Sequence, residues 1–229
     1  MMGTDGDARN GWPSIAVALL IFAATASWQR PSLAGGDVDG AYGRLDGDLS
    51  VGAEVGVAEV FPGELVMARL GCHYLHTVGL YGQYDDRVGS HAPRLARSLA
   101  FGIEVRPLFL PRFASDLEQG PAWLDLWADS LGLDLGVVAA AVPGDDCAEP
   151  SQPCWHPGLQ LGFGMELPLL ARAQGPFVGL RGALRWPTER ISSEQERSPL
   201  GRPSATLSLS LGYRLLLRAH LVDAGDGRQ

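Results

Sequence analysis

The stretch that most constrains this chain is Leu45 to Ala58, LDGDLSVGAEVGVA. Leu45, Leu49, Val51, Ala53, Val55 and Val57 fall on one parity, and Asp46, Asp48, Ser50, Gly52, Glu54 and Gly56 on the other. Successive side chains of a strand point to opposite faces, so the segment predicts a strand with one apolar and one polar face. It keeps that period for fourteen residues, where an average strand runs about five or six.

The same alternation returns at Leu65–Leu75, Thr77–Tyr84, Arg97–Arg106, Leu131–Val142, Leu159–Leu167, Phe177–Trp186 and Ala205–Leu217, which makes eight strands. Phe61 to Glu64 reads as a turn, and the parity slips near His76-Thr77, which predicts a tight turn or bulge there. Residues 85–96 and the polar, Ser- and Glu-rich Thr188–Arg202 read as loops, and Ala171–Gly175 as a short turn. Pro107 stops the fourth strand, because proline cannot donate to a ladder. Between it and Leu131 the pattern breaks. Pro111 and Gly120 bracket one short helix, and Pro121 opens a second. In the second, Trp123, Leu124, Trp127 and Leu131 share a face at helical spacing, with Asp125 and Asp129 away from it. This insertion, near residues 111–131, either caps a barrel mouth or lies at a membrane interface; WLDLWADS also alternates as a further strand would.

Alternation alone does not separate a membrane barrel from a soluble one, since a lipocalin-like binder turns its apolar face inward. Here several strands reach the ~9–11 residues that span a bilayer at a tilt. The polar faces are mostly Gly, Ser, Ala and Thr with sparse charge, which suits a cramped interior. The apolar faces are almost free of ionisable groups, as a lipid face must be. Trp186, Tyr213, Tyr74 and Tyr84 supply parts of an aromatic girdle. The predicted fold is therefore an all-β, up-and-down antiparallel transmembrane β-barrel of about eight strands over residues 45–218, with a polar tail at 219–229.

The N-terminus has the grammar of an export signal. PSIAVALLIFAATAS, Pro13 to Ser27, is an apolar core too short for a comfortable transmembrane helix of about 20 residues. Ala24-Thr25-Ala26 and Ser32-Leu33-Ala34 both offer small residues for cleavage, so residues 1–34 read as signal and cleavage region and 35–44 as a lead-in. An uncleaved single-span anchor is the alternative. Cys147 and Cys154 bracket a Pro-rich loop and are expected to form a disulfide, which an oxidising compartment preserves. Zinc would need more than His156 beside those two cysteines.

The signal-like N-terminus and the runs LDGDLSVGAEVGVA, LQLGFGMELPL and ATLSLSLGYRLLL together resemble small outer-membrane β-barrel proteins of Gram-negative bacteria, the OmpA-type and OmpW-like eight-stranded group. The resemblance covers residues 45–217. It implies location in the outer membrane, contact with outer-membrane lipid and insertion by the barrel-assembly machinery. The chain departs from the group in its last residues, where His220 to Gln229 is polar and such barrels finish on a strand with a terminal aromatic.

With the polar faces inward, Asp46, Asp48, Glu54, Glu104, Asp134 and Glu166 share the lumen with Arg69, Arg106, Arg181, Arg185 and Arg214, six acids against five bases. A selective pore shows an excess of one sign. Near-balance predicts a plugged interior cross-linked by Arg–carboxylate pairs, whose fork geometry suits planar acceptors. There is no Lys, and the net charge of −8 offers no basic stripe for nucleic acid. His73, His76, His91 and His156 are scattered without a Ser–His–acid spacing, so no catalytic residue is assigned. Asp145-Asp146 with Glu149 lacks the ligand ladder of a calcium loop, and no phosphate-binding glycine loop is present. No cofactor is expected. The expected role is structural, surface-interacting or small-solute binding; a lipid-modifying barrel enzyme and a soluble periplasmic lipocalin-like binder are the alternatives.

Overall fold

The computed structural model describes residues 48–60, 64–87, 97–117, 120–142, 154–187 and 203–219. Eight strands, β1 (Leu49–Val60), β2 (Glu64–Tyr74), β3 (Val78–Arg87), β4 (Arg97–Val105), β5 (Gly132–Val142), β6 (Cys154–Pro168), β7 (Gly175–Pro187) and β8 (Ser204–Leu217), follow one another round a closed barrel. Each is antiparallel to the next, and β1 returns to pair with β8, with Val55 opposite both Ala68 and Leu211. Closure leaves no unpaired sheet edge. The up-and-down eight-stranded barrel read from the alternation is the fold.

The parity of the faces follows the sequence. Leu70, Leu80 and Leu135 are 61–67% exposed on the outside. Arg69, Glu104 and Arg106, each next in parity, are 1–2% exposed on the inside. This is the inverse of a soluble ligand-binding barrel, whose apolar side chains fill the interior.

Several boundaries differ from the sequence reading. β3 runs on through Asp85 to Arg87, because Asp85 continues the inward parity of Tyr81 and Gln83 and finds partners there. β6 begins at Cys154 and not at Leu159, since Trp155 to Gly158 pair with Val138 to Ala141 of β5 despite Pro157. The parity slip is a tight turn over Leu75–Thr77: Leu75 (φ 46°) and His76 (φ 53°) sit in the left-handed region, and Thr77 N–H donates to Tyr74 O at 3.0 Å. Positive φ at both central positions matches the twist of the flanking strands. Two non-glycine residues accept that conformation here while His76 is buried edge-on against Phe109, ring centres 6.3 Å apart.

The insertion between β4 and β5 forms two helices, α1 (Phe109–Ala114) and α2 (Ala122–Asp129). Pro121 stands at the N-cap of α2, where a missing N–H costs nothing. The buried face of α2 is not the Trp-rich one. Asp125, Leu126 and Asp129 are buried, whereas Trp123 and Leu124 are 48% and 39% exposed. The reason is a cation: Arg112 of α1 donates to Asp129 Oδ1 at 2.7 Å and to Asp125 Oδ1, so the two carboxylates turn inward to meet it. Burial opposes the Arg112 charge, but the Asp125 hydrogen bond and the nearby Asp129 charge outweigh it and raise its pKa above the ordinary value. Ser130 fastens the end of α2 to the barrel, its hydroxyl accepting from Glu166 N–H at 2.8 Å and lying 2.8 Å from Glu166 O.

Candidate functional site: the charged lumen

Inward-facing residues of seven strands meet in one cluster halfway along the barrel. Arg181 of β7 is its hub: Nε lies 2.8 Å from Glu54 Oε1, Nη1 3.3 Å from Glu104 Oε2, and Nη2 3.0 Å from Glu166 Oε1. Arg69 of β2 bridges Glu104 (2.8 Å) and Asp134 (2.9 Å), with Glu54 at 3.5 Å. Arg106 bridges Glu104 (2.7 Å) and Glu166 (2.6 Å), and Arg214 completes the set on Glu166. Four guanidinium groups thus face four carboxylates, Glu54, Glu104, Asp134 and Glu166. Ser210 Oγ adds a 2.5 Å hydrogen bond to Glu54 Oε2. His73 lies against the cluster with Nε2 3.2 Å from Glu104 Oε1, although that contact lacks hydrogen-bond geometry.

Such burial is expensive for each ion on its own, several kcal/mol after relaxation, and is offset only when the pairings are close to complete. Arginine suits this because one planar fork serves several carboxylates at once, which a lysine point charge does not.

Above the cluster Tyr81 lies across the lumen. Arg69 Cζ stacks on its ring, 3.8 Å from the centroid, and Gln160 Nε2 donates to its hydroxyl at 3.2 Å. The ring fits because its neighbours in the row are glycines: a Cβ on Gly102 would come 2.7 Å from Tyr81 Cε1, and one on Gly136 2.5 Å from Tyr81 Oη and 2.4 Å from Phe101 O. Gly136→Ala is therefore expected to destabilise the barrel by roughly 1–3 kcal/mol, the usual range for overpacking. Gly52→Ala, in the same row, is expected to be tolerated, because its Cβ would meet nothing nearer than Tyr213 O at 4.0 Å. Urea titration of the two variants checks the contrast.

Beyond Tyr81 a second group forms round Arg185. Its guanidinium donates to Asp85 Oδ2 (2.7 Å), Ser98 Oγ (3.0 Å) and Gln160 Oε1 (2.8 Å). Gln83 Nε2 donates to Asp85 Oδ1 at 2.8 Å. Ala58, Leu65 and Met67 close the interior farther on as a small apolar cluster.

Of the charged residues expected in the lumen, Glu54, Arg69, Glu104, Arg106, Asp134, Glu166, Arg181 and Arg214 share the central cluster, and Arg185 lies in the second group. Asp48 sits at the barrel end, just before β1, where Oδ1 accepts Ala219 N–H at 2.6 Å. Asp46 and the expected Cys147–Cys154 bridge lie outside the described residues, as do residues 1–34, the lead-in at 35–44 and the loop at Thr188–Arg202. Asp85 lies one residue beyond the third strand as the alternation predicts it, on the inward parity of Tyr81 and Gln83. The Arg112–Asp125–Asp129 contact joins two helices across a turn and leaves no periodic signal.

The space left over is small. The cavity bounded by Glu54, His73, Glu104, Arg106, Arg181 and Arg214 measures about 10 Å³, and another between Leu126, Arg172 and Phe177 is the same size. Each is about large enough for one water. Among the described residues, no three His, Cys, Asp or Glu side chains come together in a metal-binding arrangement.

Three solved structures set beside this geometry are the N-terminal β-barrel domain of Pseudomonas aeruginosa OprF, outer membrane protein H (OprH) of P. aeruginosa, and the outer membrane enzyme PagL. The chain is similar to these outer-membrane barrels of eight strands. OprF shares 12% identity over 74% of this chain and 99% of its own, with a TM-score of 0.47. OprH shares 14% over 73% and 99%, TM-score 0.37, and PagL 19% over 73% and 99%, TM-score 0.32. No protein-family model and no curated protein matches the chain.

Proposed function

We propose that this chain is an exported outer-membrane barrel whose lumen is plugged by its own side chains, and that it serves a structural or surface-interaction role, without enzyme activity. The observation that carries the reading is the lumen: four arginines against four carboxylates in one cluster, with water-sized gaps. A conducting path would need a continuous wet channel with a preferred sign of charge. The exposed Leu, Val and Phe of the outer face support a lipid environment, since water would leave that surface unsatisfied. Strands of 9–15 residues agree with the length needed to cross at a tilt. Among the described residues no helix is long and apolar enough to cross, so strands would do the spanning.

The non-enzymatic part rests on access. His73 is 4% exposed and enclosed with Glu104 and Arg106, away from the outer surface where an acyl chain would lie. In planar bilayers the purified protein is expected to show no conductance above the lipid baseline. Stepwise, ion-selective conductance would overturn the plugged reading. Lipid A composition in a deletion strain is expected to be unchanged; a shifted profile would favour the lipid-modifying alternative.

A further inference from the structure

At one end of the barrel the outer apolar face is prolonged beyond the strands. At the end where β1, β3, β5 and β7 finish, the described outer surface carries exposed Glu59, an ion pair between Asp86 and Arg97, 3.3 Å apart, with Tyr84 Oη donating to Asp86, and Trp155, 52% exposed in the same row. At the other end, where β1 begins and β8 finishes, the apolar face runs on into the insertion and the β6–β7 turn. Phe113 and Leu117 are 39% and 62% exposed, Trp123 and Leu124 48% and 39%, and Leu169 and Leu170 52% and 50%.

The chain connects this collar directly to the lipid-facing rows. Leu169 follows the outward Leu167 of β6, and α2 leads through Leu131 to the outward Leu133 of β5. Meanwhile, the carboxylates of α2 have been taken away from the surface: Asp125 and Asp129 are 2–3% exposed and held by Arg112. Arg172 is exposed two residues beyond Leu170, placed to supply a cation at headgroup depth.

We infer that α1, α2 and the β6–β7 turn form a collar that lies in the headgroup–acyl boundary of the leaflet on the side where β1 begins and β8 ends. Its occupant is lipid. Trp123 suits that depth, with an apolar ring and a polar N–H tip. The inference rests on the outer-membrane reading above and adds a second, lateral contact with the bilayer to the spanning strands. The Arg112–Asp125–Asp129 contact is then what makes the insertion compatible with lipid, because it withdraws two negative charges from the collar.

The test uses the full chain in phosphatidylcholine vesicles whose acyl chains are brominated either near the headgroup or near the terminal methyl. The Trp123 signal is read as the difference between the wild type and Trp123→Phe. A Trp introduced at Leu135, in the middle of the outer face, reports separately on barrel insertion. The expected result is that the Leu135→Trp signal is quenched by the deep bromines, and that Trp123 is blue-shifted and loses most of its intensity to the shallow ones only. An inserted barrel with Trp123 emitting as in water, unquenched by either lipid, would overturn the collar and leave the barrel reading standing. A Leu135→Trp signal unquenched by both lipids would overturn both.

Discussion

Arg181→Met is expected to cost the barrel roughly 3–5 kcal/mol, the range for removing one partner from a buried, hydrogen-bonded charge pair. Arg181 is in contact with Glu54, Glu104 and Glu166, and lies 3.8 Å from Asp134, so its loss strands buried negative charge beside a gap about the size of one water. Arg69 and Arg106 still serve Glu104, but Glu54 retains only the 3.5 Å contact to Arg69 and its bond from Ser210. The double variant Arg181→Met, Glu54→Gln is expected to recover part of the loss, since it removes the charge left without its main partner. Urea unfolding in vesicles, followed by the shift in gel migration on heating, measures all three proteins. A neutral Arg181→Met would mean that the lumen is wet enough to solvate its carboxylates.

Leu135→Arg is the second large effect. Leu135 is 65% exposed and stands between Ile103 and Leu161 on the outer face. In water such an exchange at an exposed position is close to neutral. At a bilayer midplane an Arg costs about 2–4 kcal/mol, enough to compete with assembly of a small barrel. The expected outcome is loss of the heat-modifiable form and accumulation of unassembled chain. Full assembly in membranes would place this face in water and remove the basis of the outer-membrane reading.

The fold was legible in the sequence because a barrel wall has a single rule. Each strand separates two environments, so Leu133, Leu135 and Val137 against Gly132, Asp134 and Gly136 state both the secondary structure and the direction of each side chain. The rule also assigned the inward parity of the arginines and carboxylates. It could not say which of them meet, since Glu54 and Arg181 are 127 residues apart and their approach depends on the register of every strand between. Nor could it separate Arg185 from the central cluster: that division is made by the ring of Tyr81, whose room depends on Gly102 and Gly136 across the wall. The insertion was legible only in part. Helical spacing grouped Trp123, Leu124, Trp127 and Leu131 on one face, but it could not show that Asp125 and Asp129 turn inward to meet Arg112 of the preceding helix.

The seam between β1 and β8 has a consequence for the order of assembly. Contacts of long sequence separation form late, because the chain between them must first lose its freedom. Glu54 meets Arg69 within the first hairpin, Arg181 only once β7 is present, and Ser210, 156 residues away, when the last strand arrives. One edge of β1 therefore stays open until β8 joins it, and Glu54 gains its partners in the order in which the strands arrive.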